Sequence, residues 1–226
     1  MSPDATPPPA AVVTGDLIGS SGAEPEAVDT AMAILSDASS SMSDWRETNG
    51  TRFTRYRGDG WQVYIADPGL ALRAAIVLIA RLRAAGPGLA TRAAIGIGAI
   101  DNLGGTSLAD ASGEAFEASG KALDAMGRTR RLAIAGLGVT AFHRIIVRLI
   151  DERAGRWTPE QAEAIALALH PANPTLSSMA EQLGITSQAV SYRLSGAGSG
   201  ALRAALHDWE AEYPRPDGPG QTGGSR

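Results

Sequence analysis

The 226-residue sequence contains no cysteine, which excludes disulfide scaffolds, thiolate metal sites and cysteine nucleophiles together. It has no apolar run approaching the ~20 residues that a bilayer-spanning helix needs. The stretch from Met1 to Pro9 lacks the basic region and apolar core of a secretory signal, so the expectation is a cytoplasmic protein with no membrane partner. The histidines number three, and His143, His170 and His207 are too scattered for any pair to have metal-ligand spacing. Lysine is nearly absent. Of twenty basic residues nineteen are arginine and one is Lys121, which marks that position as a candidate for a site needing an ammonium.

What remains is ordinary for a globular chain. Apolar residues make up 44% and charged residues 19%, a composition that buries a core in one or two domains. The net charge of −4 gives no general attraction to nucleic acid, so any DNA binding must come from a local surface.

Residues 1–9 carry four prolines and residues 214–226 carry no apolar anchor, and both ends are expected to be disordered tails. Between Ala10 and about Ala135, short apolar runs alternate with helical stretches. Ala10–Asp16 suits a buried strand. Pro25–Met42 places Val28, Met32 and Leu35 on one helical face. Arg52–Arg57 and Trp61–Ala66 are aromatic and β-branched strands joined by Gly58-Asp59-Gly60, a hairpin signal. Asp67-Pro68 starts a helix to about Ala85. A strand over Thr91–Ile100, a helix over Ser112–Met126 and a strand over Arg131–Ala135 follow. The order β-α-β-β-α-β-α-β predicts an α+β, ferredoxin-like domain over residues 10–136, with the first and second strands as central neighbours. Residues 137–156 read as an amphipathic connector helix with Phe142, Ile145, Ile146 and Leu149 on one side, also a candidate dimer surface. Residues 157–213 read as an all-α domain.

Two aspartates sit at turns. Asp16 closes the first strand, and Asp59 lies at the hairpin tip. If the two carboxylates converge on one sheet edge they repel, and a hard divalent cation relieves that repulsion. Gly19, Ser20 and Ser21 leave backbone N–H groups free at a strand-to-helix turn, a candidate phosphate cradle. The alternative is that each aspartate only makes a turn.

Four ordered stretches resemble class III nucleotide cyclases: Asp16-Leu-Ile-Gly19-Ser-Ser21, Gly58-Asp59-Gly60 with the Asp67-Pro68 helix, Arg92 to Ile100, and Gly113 to Leu123. The resemblance implies a cyclase-like fold, a Mg2+ or Mn2+ cofactor on Asp16 and Asp59, and a nucleotide ligand held by Gly19, Ser20, Ser21, Arg55 and Lys121. It also shows departures. Glu117 and Lys121 stand where the family has an asparagine and an arginine that act on ribose and triphosphate. A carboxylate at Glu117 repels phosphate, and Lys121 keeps a cation without the planar fork. In both halves the chain is also similar to the SatD family, which pairs such a domain with a C-terminal helix-turn-helix.

The C-terminal residues carry that second pattern themselves. Thr158-Pro159-Glu160-Gln161 fits a capping box with Pro at the first helical position. Met179 to Leu194 reads as a helix-turn-helix, with Gly184 at the turn and Thr186 capping the second helix. Ser187, Gln188, Ser191, Tyr192 and Arg193 are the candidate contacts to double-stranded DNA. From Trp157 to Trp209 two arginines face four acidic residues, a poor balance for neutralising phosphates and a reason to expect a homodimer. Two readings follow: a DNA-binding regulator whose degenerate cyclase-like domain senses a nucleotide, or an active nucleotidyl cyclase with an accessory helical module.

Overall fold

A computed structural model describes residues 8–45, 51–56, 58–105 and 107–212. The expected tails, apart from Pro8 and Pro9, lie outside the described residues, as does Arg57 of the expected second strand.

The protein is a mixed α+β molecule built on one five-stranded sheet. Strands β1 (Ala10–Ile18), β2 (Thr51–Tyr56), β3 (Gly60–Ile65), β4 (Ala90–Gly98) and β5 (Leu132–Gly136) lie in the order β2-β3-β1-β4-β5. Every pairing is antiparallel except β4 with β5. With helices α1 (Pro25–Ser40) and α2 (Ala71–Ala85) the first four strands make a β-α-β-β-α-β unit, the ferredoxin-like connectivity. One expectation needs correction. β1 is flanked by β3 and β4, and β2 is an edge strand. The reason is burial: Trp61, Val63 and Ile65 of β3 are buried, whereas no residue of β2 is fully buried. The strand with the heavier apolar face takes the interior position.

The two faces of the sheet are covered differently. Ala11, Val13 and Leu17 of β1, with Ile95 and Ile97 of β4, face the main core shared with α1 and α2. On the opposite face Thr14 shares a 2.7 Å hydrogen bond with Ser119 of α3 (Glu114–Asp124). The Gly96 and Gly98 positions, alternating with those isoleucines, let α3 approach. A Cβ on Gly96 would lie 2.1 Å from the Ala115 carbonyl oxygen and 2.4 Å from the Ser119 nitrogen.

Five further helices follow: α4 (Ala141–Gly155), α5 (Pro159–Ala168), α6 (Leu176–Leu183), α7 (Ser187–Ala197) and α8 (Ser199–Glu212). The capping box at α5 forms as the sequence predicts, with Gln161 N–H donating to Thr158 Oγ1 at 3.2 Å and Thr158 N–H to Gln161 Oε1 at 3.1 Å. α2 is buried from Ala71 to Ala80 without a break, because it is packed between the sheet and the helices after residue 156. Arg73, 8% exposed, reaches across with Nε 2.6 Å from Glu210 Oε1 and an N–H 2.9 Å from the Leu169 carbonyl. Arg83 donates to the Trp157 carbonyl, and burial lowers its pKa, with the nearby Arg131 charge adding to that. One apolar cluster runs from Ala11 through to Trp209.

α4 turns the smaller of its two apolar faces inward. Val147, Ile150 and Ala154 are buried beside His143, while Phe142, Ile145, Ile146 and Leu149 are exposed. His143 itself caps the helix, its Nδ1 accepting the Thr140 N–H at 2.9 Å, and its Nε2 lies 2.8 Å from Glu212 Oε2. No helix among the described residues is long and apolar enough to cross a membrane.

Candidate functional site

The backbone brings Asp16 and Asp59 to the same end of the β1–β3 pair, while their carboxylates take different partners. β1 pairs with β3 so that Asp16 stands opposite Gly60, the residue after the hairpin tip. Leu17 N–H donates to the Asp59 carbonyl at 3.1 Å, and Ser20 Oγ donates to Asp59 Oδ2 at 2.5 Å. Gly19 takes φ +90° between them, a left-handed conformation that glycine adopts without steric cost.

The residue that sequence reasoning missed is Arg92. β4 places it directly across from Asp16. Its Nε donates to Asp16 Oδ1 at 2.9 Å and a terminal N–H to Oδ2, the two-pronged geometry that a guanidinium makes with a carboxylate. Hydrogen bonding to Asp16 raises the Arg92 pKa, opposed by burial and aided by the charges of Asp16 and Asp124. Thr91 Oγ1 donates to the Asp16 carbonyl at 2.7 Å and receives the Trp61 indole N–H at 2.9 Å. An arginine at the start of an apolar strand was the available signal, but only the strand register shows which acid it meets.

The donor chemistry of this edge, two carboxylates and a serine hydroxyl, suits a hard divalent cation. Its arrangement does not fit one, because Arg92 holds both oxygens of Asp16 and supplies the positive charge there. Among the described residues no group of three or more His, Asp or Glu side chains is placed to hold a metal.

The other expected nucleotide contacts are engaged locally. Arg55 donates to the Gly58 carbonyl at 2.6 Å and pairs with Asp29 of α1 at 2.7 Å. Lys121 Nζ pairs with Glu117 at 2.8 Å one helical turn away, and both side chains are well exposed. The hydrogen bond from Lys121, reinforced by its charge, lowers the Glu117 pKa. Ser21 is exposed.

The second candidate surface is α7. Gly184, at φ +63°, ends α6, and the Thr186 hydroxyl accepts the Ala189 N–H at 3.1 Å to start α7. Ser187, Gln188, Ser191 and Tyr192 are exposed on α7, with Gln188 Nε2 3.4 Å from the Tyr192 hydroxyl. Arg193 does not join them. Its guanidinium turns back to Glu163 of α5 at 2.9 Å.

No family model matches the chain. No curated protein matches it at the threshold of significance. Seven solved chains do match, among them the guanylyl cyclase Cya2, at 15% identity and a TM-score of 0.40, covering 57% of this chain and 75% of that one. A likeness at that level carries no argument about activity.

Proposed function

We propose that the protein is a DNA-binding regulator in which α6 and α7 act as a helix-turn-helix, with α7 entering the major groove. The Asp16–Asp59 edge of a cyclase-like domain serves in this reading as a nucleotide-sensing site that does not cyclise its ligand. The observation that carries the proposal is the outward face of α7. Four side chains able to hydrogen-bond to base edges stand exposed there on a helix that is capped at its start and backed by α5 and α6. Gln188 suits adenine, and Tyr192, 70% exposed, suits a phosphate or a thymine methyl.

Chromatin mapping of the intact protein should give discrete sites, and a continuous background would remove the regulator reading. On an oligonucleotide from such a site, Gln188→Ala with Tyr192→Ala should weaken binding by about 10- to 100-fold, leaving the melting temperature unchanged because neither side chain is buried. Glu163→Gln should act in the opposite direction. It frees Arg193 and removes an anion, so affinity should rise several-fold and become steeper in salt by about one phosphate contact. Anisotropy titrations at two salt concentrations read both effects.

A second reading, an active nucleotidyl cyclase, draws support from the approach of Asp59 to the turn after Asp16. In that reading Mg2+ or Mn2+ bound by Asp16 and Asp59 requires Arg92 to have left Asp16. Incubating the protein with each NTP and either metal separates the two readings. Cyclic product that disappears in Asp59→Ala favours the enzyme, and binding of nucleotide without product favours the sensor.

A further inference from the structure

The exposed face of α4 needs an occupant. Phe142 is 76% exposed and Leu149 67%, with Ile145 and Ile146 between them and Leu137 exposed at the preceding turn. These side chains leave on the order of 500 Å2 of contiguous apolar surface in water, as large as the patches that mark association sites. Immediately beside the stripe runs a groove of about 380 Å3 between α4 and α8. Its walls include Ile146 and Leu149 on one side and Ala201, Leu202 and Ala205 on the other, over Trp157.

We propose that a second copy of this chain docks here, the two α4 helices lying antiparallel about a two-fold axis between Ile145 and Ile146. The spacing within the stripe carries the choice of partner. Phe142 and the groove lip at Leu149 are seven residues apart on one helix, about 10 Å along its axis. A two-fold axis midway between them exchanges the positions. Each Phe142 then meets the Leu149 end of its partner and enters the groove beside it, and each groove receives one ring. A surface holding both an anchor and its socket in this relation is self-complementary, as a two-fold interface must be. Stripe and groove walls together approach the ~800 Å2 per partner of a standard interface. The pairing stands whether or not α7 reads DNA.

The absence of cysteine makes the test clean. The intact protein at tens of micromolar should sediment as a dimer, and Phe142→Glu or Leu149→Glu should give a folded monomer, since neither side chain is buried. A short thiol crosslinker should join two copies of Ile145→Cys, which sits at the axis. It should not join two copies of Phe142→Cys, which the antiparallel arrangement holds some 10 Å apart along the helices. A monomeric wild-type protein, a dimer that survives Phe142→Glu, or efficient joining at Phe142→Cys would each overturn the proposal.

Discussion

Gly96→Val should destabilise the protein by about 3 kcal/mol or more, the upper end of what overpacking costs. The reason lies in what the new side chain meets. A Cβ at this position falls 2.1 Å from the Ala115 carbonyl and 2.4 Å from the Ser119 nitrogen, both backbone atoms of α3, so no rotamer change relieves the clash. Either β4 bends or α3 lifts from the sheet. Lifting α3 breaks the Thr14–Ser119 hydrogen bond and uncovers the small cluster of Ala94, Leu123, Met126 and Ala133. Gly120→Ala is the control on the same helix. Nothing lies within 4 Å of its Cβ position, and removing a mid-helix glycine should add about 0.5–1 kcal/mol. Urea unfolding followed by circular dichroism measures both. A valine variant within 1 kcal/mol of the wild type would mean that α3 does not rest on β4.

Trp157→Ala should cost about 3–5 kcal/mol, the range for emptying a large aromatic site. Trp157 is 2% exposed and lies at the start of the α5–α8 group, where its indole N–H donates to the Ala197 carbonyl at 2.9 Å and its own carbonyl receives Arg83. The alanine variant leaves a cavity and removes one of the two donors to the Ala197 carbonyl, which keeps Arg153 Nε at 3.1 Å. Because one apolar cluster joins the sheet to α8, the wild type should unfold in a single transition by tryptophan fluorescence and by circular dichroism. In Trp157→Ala the midpoint should fall for both probes together. Two separated transitions in the wild type would contradict a shared core.

The parts of the fold legible in the sequence are those written in short-range chemistry. Gly58-Asp59-Gly60 marks the hairpin, Asp67-Pro68 the approach to α2, Thr158 with Gln161 the start of α5, and Gly184 with Thr186 the turn before α7; each lies where the sequence places it. The interior position of β3 was not legible, because the turn signal marks a hairpin without saying which arm meets β1. α4 carries apolar residues on two faces, and periodicity alone does not choose which is buried. α8 was missed as an element because Gly196, Gly198 and Gly200 precede an otherwise regular spacing of Leu202, Leu206 and Trp209. For the acidic edge, the hairpin brought Asp59 toward Asp16 in sequence as in structure. The Arg92 clamp depends on register between strands some 75 residues apart, and nothing local announces it. Lys121, singled out by its rarity, lies in an ordinary helical-turn pair with Glu117.

The burial of α2 on both flanks bears on how this protein can be taken apart. Residues 157–212 are not a cassette that could be cut off or transplanted to another partner. Severing them would strip α2 of its α5 cover, leave Arg73 without Glu210 and hand a bare aliphatic flank to the solvent. The same packing rules out a swinging hinge between the two halves. Relative movement of the two flanks of α2 would be a small slide of α2 against α5, a shear between packed helices.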